Sequence, residues 1–297
     1  MKTRRIFSLK SGFTLVELLV SMAITLIIVT VLVSVTSMAM DTWNRSRAEL
    51  RSARQAKAMV DAMARDFEGL VTRSGNTYEW LSAISRADDG SSNGADLVFF
   101  TAATDRYNGE IGTADDLGGD VSCVGYRMAW KDPIGGDSDE KLKTFVLNRL
   151  LVDPKATFDT LLGKPEIGLL FATTYEDDFS KEENFVCENV FQFTISFHLE
   201  VTDTTVNPPV VKNVLVSLDQ GSTKEFRIRG TGITTDYSGP LATFVPTGRI
   251  TAVGISLTVL SDAGIKQLPV KLGKSDFGKW LAKNSTQYSK LIQLPGM

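Results

Sequence analysis

Between Leu18 and Met40 the chain runs for 23 residues without a charge, LLVSMAITLIIVTVLVSVTSMAM. As a helix rising about 1.5 Å per residue, this run covers the ~30 Å hydrocarbon core of a bilayer. No proline or glycine interrupts it, so nothing local opposes one continuous helix. Thr14, Ser21, Thr25, Thr30, Ser34 and Ser37 recur along it at helical spacing. Such a stripe of small residues suits close helix–helix contact, and it reads equally well as hydroxyls bonded to their own backbone. One carboxylate, Glu17, stands at the head of the run. An acid in hydrocarbon costs on the order of 2.5–3.5 kcal/mol even on lenient scales, so this one calls for a partner.

The residues ahead of the run do not follow the pattern of an ordinary secretory signal. That pattern has an apolar region of about 7–15 residues ending in a small-residue cleavage site. Here the run is longer, and a Gly12–Phe13 junction precedes it. The segment Lys10-Ser11-Gly12-Phe13-Thr14-Leu15-Val16-Glu17-Leu18-Leu19-Val20 resembles the type IV prepilin signal, with glycine, phenylalanine and glutamate all in register. In that family a membrane-embedded prepilin peptidase cuts after the glycine and methylates the new terminus. The resemblance therefore implies a leader of residues 1–12, cleavage between Gly12 and Phe13, and an N-methylated Phe13. It also implies a register role for Glu17, whose carboxylate would meet the terminal amine of a neighbouring copy's Phe13. Two such buried charges offset each other only when the subunits are correctly staggered.

Charge restricts the partners. The net charge is −3, but Lys2, Arg4, Arg5 and Lys10 lie before Phe13 with no acid among them. Setting aside these four of the 32 basic residues leaves 28 against 35 acidic ones, a body that repels nucleic-acid backbones. Arg45, Arg47, Arg51, Arg54 and Lys57 follow the apolar run, so the positive-inside count does not orient the segment. The resemblance to prepilins does, implying an inner-membrane, single-pass protein with its leader cytoplasmic and its body periplasmic or extracellular.

Past Met40 the helical period continues through Trp43, Leu50, Val60, Met63, Phe67 and Leu70, an amphipathic half expected to lie on a globular domain. Gly69 and Ser74-Gly75-Asn76 are stop signals, giving a helix of nearly 60 residues. The expected organisation is thus residues 1–12 leader, 13–40 membrane and assembly half, 41–75 amphipathic half, and 76–297 β-rich domain.

Beyond Asn76 the period falls from 3.6 to 2. Val190–Val201 alternates Phe191, Phe193, Ile195, Phe197, Leu199 and Val201 with polar residues, and Arg249–Val259 repeats the pattern. Further strands are expected at Leu97–Thr101, Val121–Trp130, Thr144–Val152, Gly168–Thr174, Val210–Leu218 and Glu225–Arg229, with a helix at Ser275–Lys283 closing the chain. Long polar loops are expected at Ala87–Ala95, Asp105–Asp120, Asp132–Glu140 and Gly230–Gly248. The fold class is α+β, a long N-terminal helix packed on a C-terminal antiparallel sheet domain, the layout of pilins and pseudopilins.

Within that superfamily the size and the tail Pro246–Ser261 resemble large minor members. These are the J-type pseudopilin of type II secretion, the W-type minor pilin and the family called Verru_Chthon cassette protein C. The last is also similar at Leu97-Val98-Phe99-Phe100 and Leu147-Asn148-Arg149-Leu150-Leu151-Val152-Asp153-Pro154, and the chain leans toward it. A mid-helix proline common in major pilins would fall at Ser34; its absence fits a minor role.

No catalytic constellation emerges. Gly273-Lys274-Ser275 lacks the upstream glycine of a phosphate-binding loop, and Gly230-Thr231-Gly232 lacks the third glycine of a dinucleotide fingerprint. His198, the only histidine, falls on the polar side of a strand with no second histidine to share a metal. Acids crowd at Asp115, Asp116 and Asp120, at Asp137, Asp139 and Glu140, and at Glu176, Asp177 and Asp178. Calcium takes loop carboxylates of this sort, but no EF-hand spacing is present and solvated loops are the favoured reading. Cys123 and Cys187 are too few for a disulfide framework; their spacing leaves open either one bridge or two separate buried thiols. The expectation is a structural subunit without enzyme activity, metal or cofactor. Its expected partners are prepilin peptidase, other pilins and exported cargo. The alternatives are a DNA-uptake pilin acting as a binding module, for which the Arg45–Lys57 face is the only support, and a membrane-anchored domain of unknown activity.

Overall fold

Thr14 opens the first helix. Its hydroxyl accepts from the Glu17 backbone N–H (3.3 Å), its own backbone N–H donates back to Glu17 Oε2 (2.9 Å), and its carbonyl takes the first helical bond from Leu18. This is a capping box, which satisfies donors that a helix start otherwise leaves orphaned. The computed structural model describes residues 14–86, 93–102, 121–132, 143–179 and 181–294. The chain divides after Leu50 into two compact units. In the first unit, every residue from Thr14 to Arg47 is exposed.

The elements run α1 (Leu15–Glu68), β1 (Glu79–Arg86), β2 (Gly94–Thr101), β3 (Ser122–Lys131), β4 (Thr144–Val152), a one-turn α2 (Pro154–Ala156), α3 (Ile167–Thr174) and α4 (Glu176–Phe179). Then follow β5 (Phe185–Glu188), β6 (Val190–Asp203), β7 (Val210–Ser217), β8 (Glu225–Arg229), β9 (Gly232–Thr235), β10 (Arg249–Leu260), α5 (Asp262–Lys271), α6 (Phe277–Asn284) and β11 (Ser285–Gln293). One sheet has the order β5-β4-β3-β2-β1-β8-β9 and the other β11-β10-β6-β7. Every pairing within them is antiparallel.

The main core combines the buried face of α1 (Ala56, Met59, Val60, Met63, Phe67) with inward residues of both sheets. Phe67 stacks on Phe99 of β2 at 4.3 Å, and Phe197 of β6 on Phe226 of β8 at 3.9 Å. Each phenylalanine so buried contributes about 1.5–3 kcal/mol of transfer free energy. The opposite face of the larger sheet, with Trp80, Phe100, Cys123 and Leu150, is covered by Leu161, Ile167, Phe171 and Phe179. A smaller cluster joins Phe145 and Phe191 to Leu260, Leu268 and Trp280.

The long helix, the antiparallel sheets and most strand positions match expectation, with five corrections. The helix stops at Glu68, at the first of the two stop signals, where β2 takes over the chain through Ala102 N to Gly69 O (2.7 Å) and Val71 N to Phe100 O (2.9 Å). Its buried face begins only at Ala56, whereas Trp43 and Leu50 are 70% and 58% exposed. The segment expected as strand Gly168–Thr174 is α3, because Ile167 and Phe171, four residues apart, both face the sheet. The helix expected at Ser275–Lys283 is α6 (Phe277–Asn284), but β11 follows it, and the expected loop Gly230–Gly248 contains β9. Asp105–Asp120 lies outside the described residues, as do most of Ala87–Ala95 and of Asp132–Glu140.

Candidate assembly site

The apolar helix and the acid at its head form the candidate site. Glu17 Oε2 accepts from both the backbone N–H (2.9 Å) and the hydroxyl (2.8 Å) of Thr14, while Oε1 accepts no hydrogen bond among the described residues. Both donors belong to a residue that stays with the helix after a Gly12–Phe13 cut. The carboxylate is therefore oriented within its own chain and keeps one oxygen for another group. Gly12 and Phe13 lie outside the described residues. The capping box was readable in the sequence as Thr14-x-x-Glu17 ahead of an apolar run.

Three members of the hydroxyl stripe, Ser21, Thr25 and Thr30, have a local explanation, shared by Thr36 beside it. Ser21 Oγ donates to Leu18 O (2.9 Å), Thr25 to Ser21 O (2.7 Å), Thr30 to Leu26 O (2.8 Å) and Thr36 to Leu32 O (2.8 Å). These donors are satisfied without a second helix, so they cost nothing in hydrocarbon and leave an apolar exterior. The exterior is long and apolar enough to cross a membrane.

Ion pairs occupy part of the basic face beyond it. Arg45 pairs with Glu49 (3.0 Å) and Arg51 with Glu188 on β5 (2.8 Å). Within the second unit, Asp66 of α1 is 2% exposed and receives Arg149 of β4 through two bonds, Nε at 2.8 Å and Nη2 at 2.9 Å. The Tyr126 hydroxyl donates to the same carboxylate. Burial, and then the negative charge of Asp66, push the Tyr126 phenol well above its ordinary range. Asp61 of α1 accepts from Lys290 of β11 (2.8 Å), which lowers its proton affinity. None of these fastenings of the helix was foreseen. Asp66 reads as a polar-face residue, and its partners lie 60 and 83 positions away.

Of the two readings that the cysteine spacing left open, the structure has two separate thiols, both free and buried. Cys187 of β5 pairs with Leu147 of β4, which pairs with Met128 of β3, five residues from Cys123. Two strand spacings and five residues of rise separate them by roughly 19 Å, against a bridgeable limit of about 7 Å. They also belong to clusters on opposite faces of the sheet. Among the described residues no three His, Cys, Asp or Glu side chains gather as metal ligands. His198 is half-buried on β6. Of the acidic triplet Glu176–Asp178, Glu176 pairs with Arg127 and Asp178 with Lys181. The triplets at Asp115–Asp120 and Asp137–Glu140 lie outside the described residues.

Comparison of the whole chain with curated proteins and with solved structures gives no match. Residues 8–33 match the prokaryotic N-terminal methylation motif. Together with the apolar helix that begins within it at Leu15, this match supports a type IV pilin-like protein anchored in the inner membrane.

Proposed function

We propose that this chain is a structural minor pilin or pseudopilin, cut by prepilin peptidase after Gly12 and methylated at Phe13. It assembles with other pilins through its N-terminal helix into a pilus-like fibre or a small tip complex. The observation that carries this reading is the exposed first part of α1, charge-free from Leu18 to Met40, with the acid Glu17 at its head five residues after Gly12. Such a surface needs hydrocarbon around it in the membrane and other helices around it in a fibre. During processing the leader is cytoplasmic, and the sheet domain is periplasmic or extracellular, where it contacts sister subunits or cargo. Of the three lineages it resembles, the cassette family is the favoured assignment. The subunit carries out no catalysis and needs no cofactor.

A DNA-uptake role would draw on the Arg45–Lys57 face. The pairing of Arg45 and Arg51 with carboxylates weakens that alternative. The test is mass spectrometry of the membrane-extracted protein. A mature form beginning at methylated Phe13 is expected, and Gly12→Ala should leave full-length precursor. An intact Met1, or a trim elsewhere with an unmodified amine, would reduce the chain to a tethered β-rich domain.

A further inference from the structure

The hairpin of β8 and β9, the start of β10 and the segment just after α1 enclose an open cavity of about 330 Å³. Three arginines, Arg73, Arg229 and Arg249, line it, and no carboxylate does. None of the three makes an ion pair among the described residues, although other arginines there do, Arg51 with Glu188 and Arg149 with Asp66 among them. Neither carboxylate opposite them in register forms an ion pair with them. Glu79, across from Arg229, pairs with Arg227 (3.5 Å) and accepts from the Gly168 N–H (3.3 Å) while still feeling the Arg229 charge, and Glu200, across from Arg249, forms no ion pair with it. The Nε of Arg229 is buried and has no hydrogen-bond partner in the protein. A buried donor on a cation left unmatched costs more than its net bond is worth, so it points to a group that completes it.

The walls around these charges are built rather than incidental. Gly230 O accepts from Gly75 N (2.8 Å), and Gly230 N donates to Tyr78 O (3.0 Å). A Cβ on Gly230 would meet Asn76 Oδ1 at 2.3 Å. Gly232, at φ +129°, holds a conformation that side chains rarely adopt, and a Cβ there would meet Pro246 O at 2.4 Å. These glycines let the backbone close on itself, and Ile228, Ile233 and Ile250 add apolar lining to the cavity.

We infer that this cavity is a binding site for a small organic anion, a phosphate ester or carboxylate on an apolar body. Its volume lies at the small end of the ~300–1,000 Å³ typical of ligand pockets. The arginine forks take the oxyanion through paired charge-assisted bonds, and the isoleucines take the body. The site is separate from the N-terminal helix and does not depend on its assembly role.

Calorimetry on the detergent-solubilised full chain tests it, with benzyl phosphate, benzyl alcohol and inorganic phosphate as probes. Benzyl phosphate should bind one per chain and weaken as salt rises. Benzyl alcohol should not saturate, and inorganic phosphate should bind about tenfold more weakly, the loss of roughly 1.4 kcal/mol of apolar contact. Arg229→Gln, and separately Arg73→Gln with Arg249→Gln on the exposed rim, should each weaken the ester at least about tenfold, as loss of a charge-assisted bond predicts. The rim pair is expected to leave the unfolding temperature unchanged. Failure of the ester to saturate below about 10 mM, which leaves less than about 3 kcal/mol of binding, would overturn the site. So would undiminished binding by the rim variant, or capture of single-stranded DNA through the same arginines without capture of the ester.

Discussion

Thr14 and Glu17 orient one another before any second subunit is present, so deleting either member has a distinct consequence. Thr14→Ala removes the hydroxyl that caps the helix, a loss of about 1 kcal/mol. It leaves the Glu17 charge in place, so processed protein should still enter fibres, at a reduced level. On the proposed register role, Glu17→Ala removes the charge that would neutralise a neighbouring terminus. Breaking a buried pair from one side costs about 3–5 kcal/mol, so processing should continue while recovery in sheared fibres falls well over tenfold. Equal recovery of both variants would contradict the register role. A second residue sets an acid limit. Asp203, at the end of β6, accepts from Lys212 (2.8 Å) and from the Thr205 N–H (2.9 Å). The Lys212 bond, then those of Thr205, hold its carboxyl down at about 2, against an ordinary 3.8. A depressed folded-state value means that its stabilisation is complete above the ordinary value and is lost as pH falls through about 2. Urea unfolding of Asp203→Asn should therefore show a shallower loss of stability between those two pH values than the parent chain, and unchanged slopes would rule out this contribution.

At the scale of elements, burial alone did not decide legibility, since β4 is buried almost throughout and still falls on its expected limits. Strands β4, β6, β8 and β10 fall at or within two residues of their expected limits. In β6 and β8 buried and wetter positions alternate, so the two-residue period survives in the sequence. Strand β1 is buried on nearly every position because α3 covers one of its faces and the main core the other, and its alternation vanishes. Strand β11 fails oppositely: it is an edge strand, mostly wet, with Ile292 its one buried residue. An eight-residue apolar run such as α3 has no period long enough to separate helix from strand, and only the sheet beneath it decides. The Asp66 cluster was invisible for a different reason, since its three members share no local pattern. Its energetics can be tested. Asp66→Ala leaves the Arg149 guanidinium largely buried without its counter-charge and should destabilise by about 3–5 kcal/mol. Tyr126→Phe removes one bond from a still-paired carboxylate and should cost only about 1–2 kcal/mol. Denaturant unfolding of the two variants measures the difference, and similar losses would mean that the cluster is held by packing alone.

Across the whole second unit, the two cysteines report whether its cores unfold together. Cys123 belongs to the cluster under α3, Cys187 to the one between the sheets, and the larger sheet lies between them. Burial pushes the Cys123 thiol well up, and burial followed by the charge of Glu188 pushes Cys187 to about 12. At neutral pH a thiol at that value is ionised at roughly one part in 10⁵, and only the thiolate attacks a disulfide reagent. Neither side chain should react in the native state, even in an oxidising compartment, and a reductant should leave the unfolding temperature unchanged because there is no bond to break. Labelling must then wait for an opening. Cys123 sits on β3 near the middle of seven strands, Cys187 on β5 at the edge. If the unit opens only as a whole, both thiols label at one rate, with the same dependence on denaturant. If the edge opens first, Cys187 labels faster at low denaturant, and the two rates converge only near the midpoint. Arg51 of α1 pairs with Glu188 on β5, beside Cys187, and ties that edge to the helix. The single rate is therefore the expected outcome for the parent chain, and Arg51→Ala should let Cys187 move ahead while Cys123 holds its pace. Mass spectrometry of timed alkylation distinguishes the two sites, and a Cys187 rate unaffected by Arg51→Ala would show that β5 is held by β4 and the core alone.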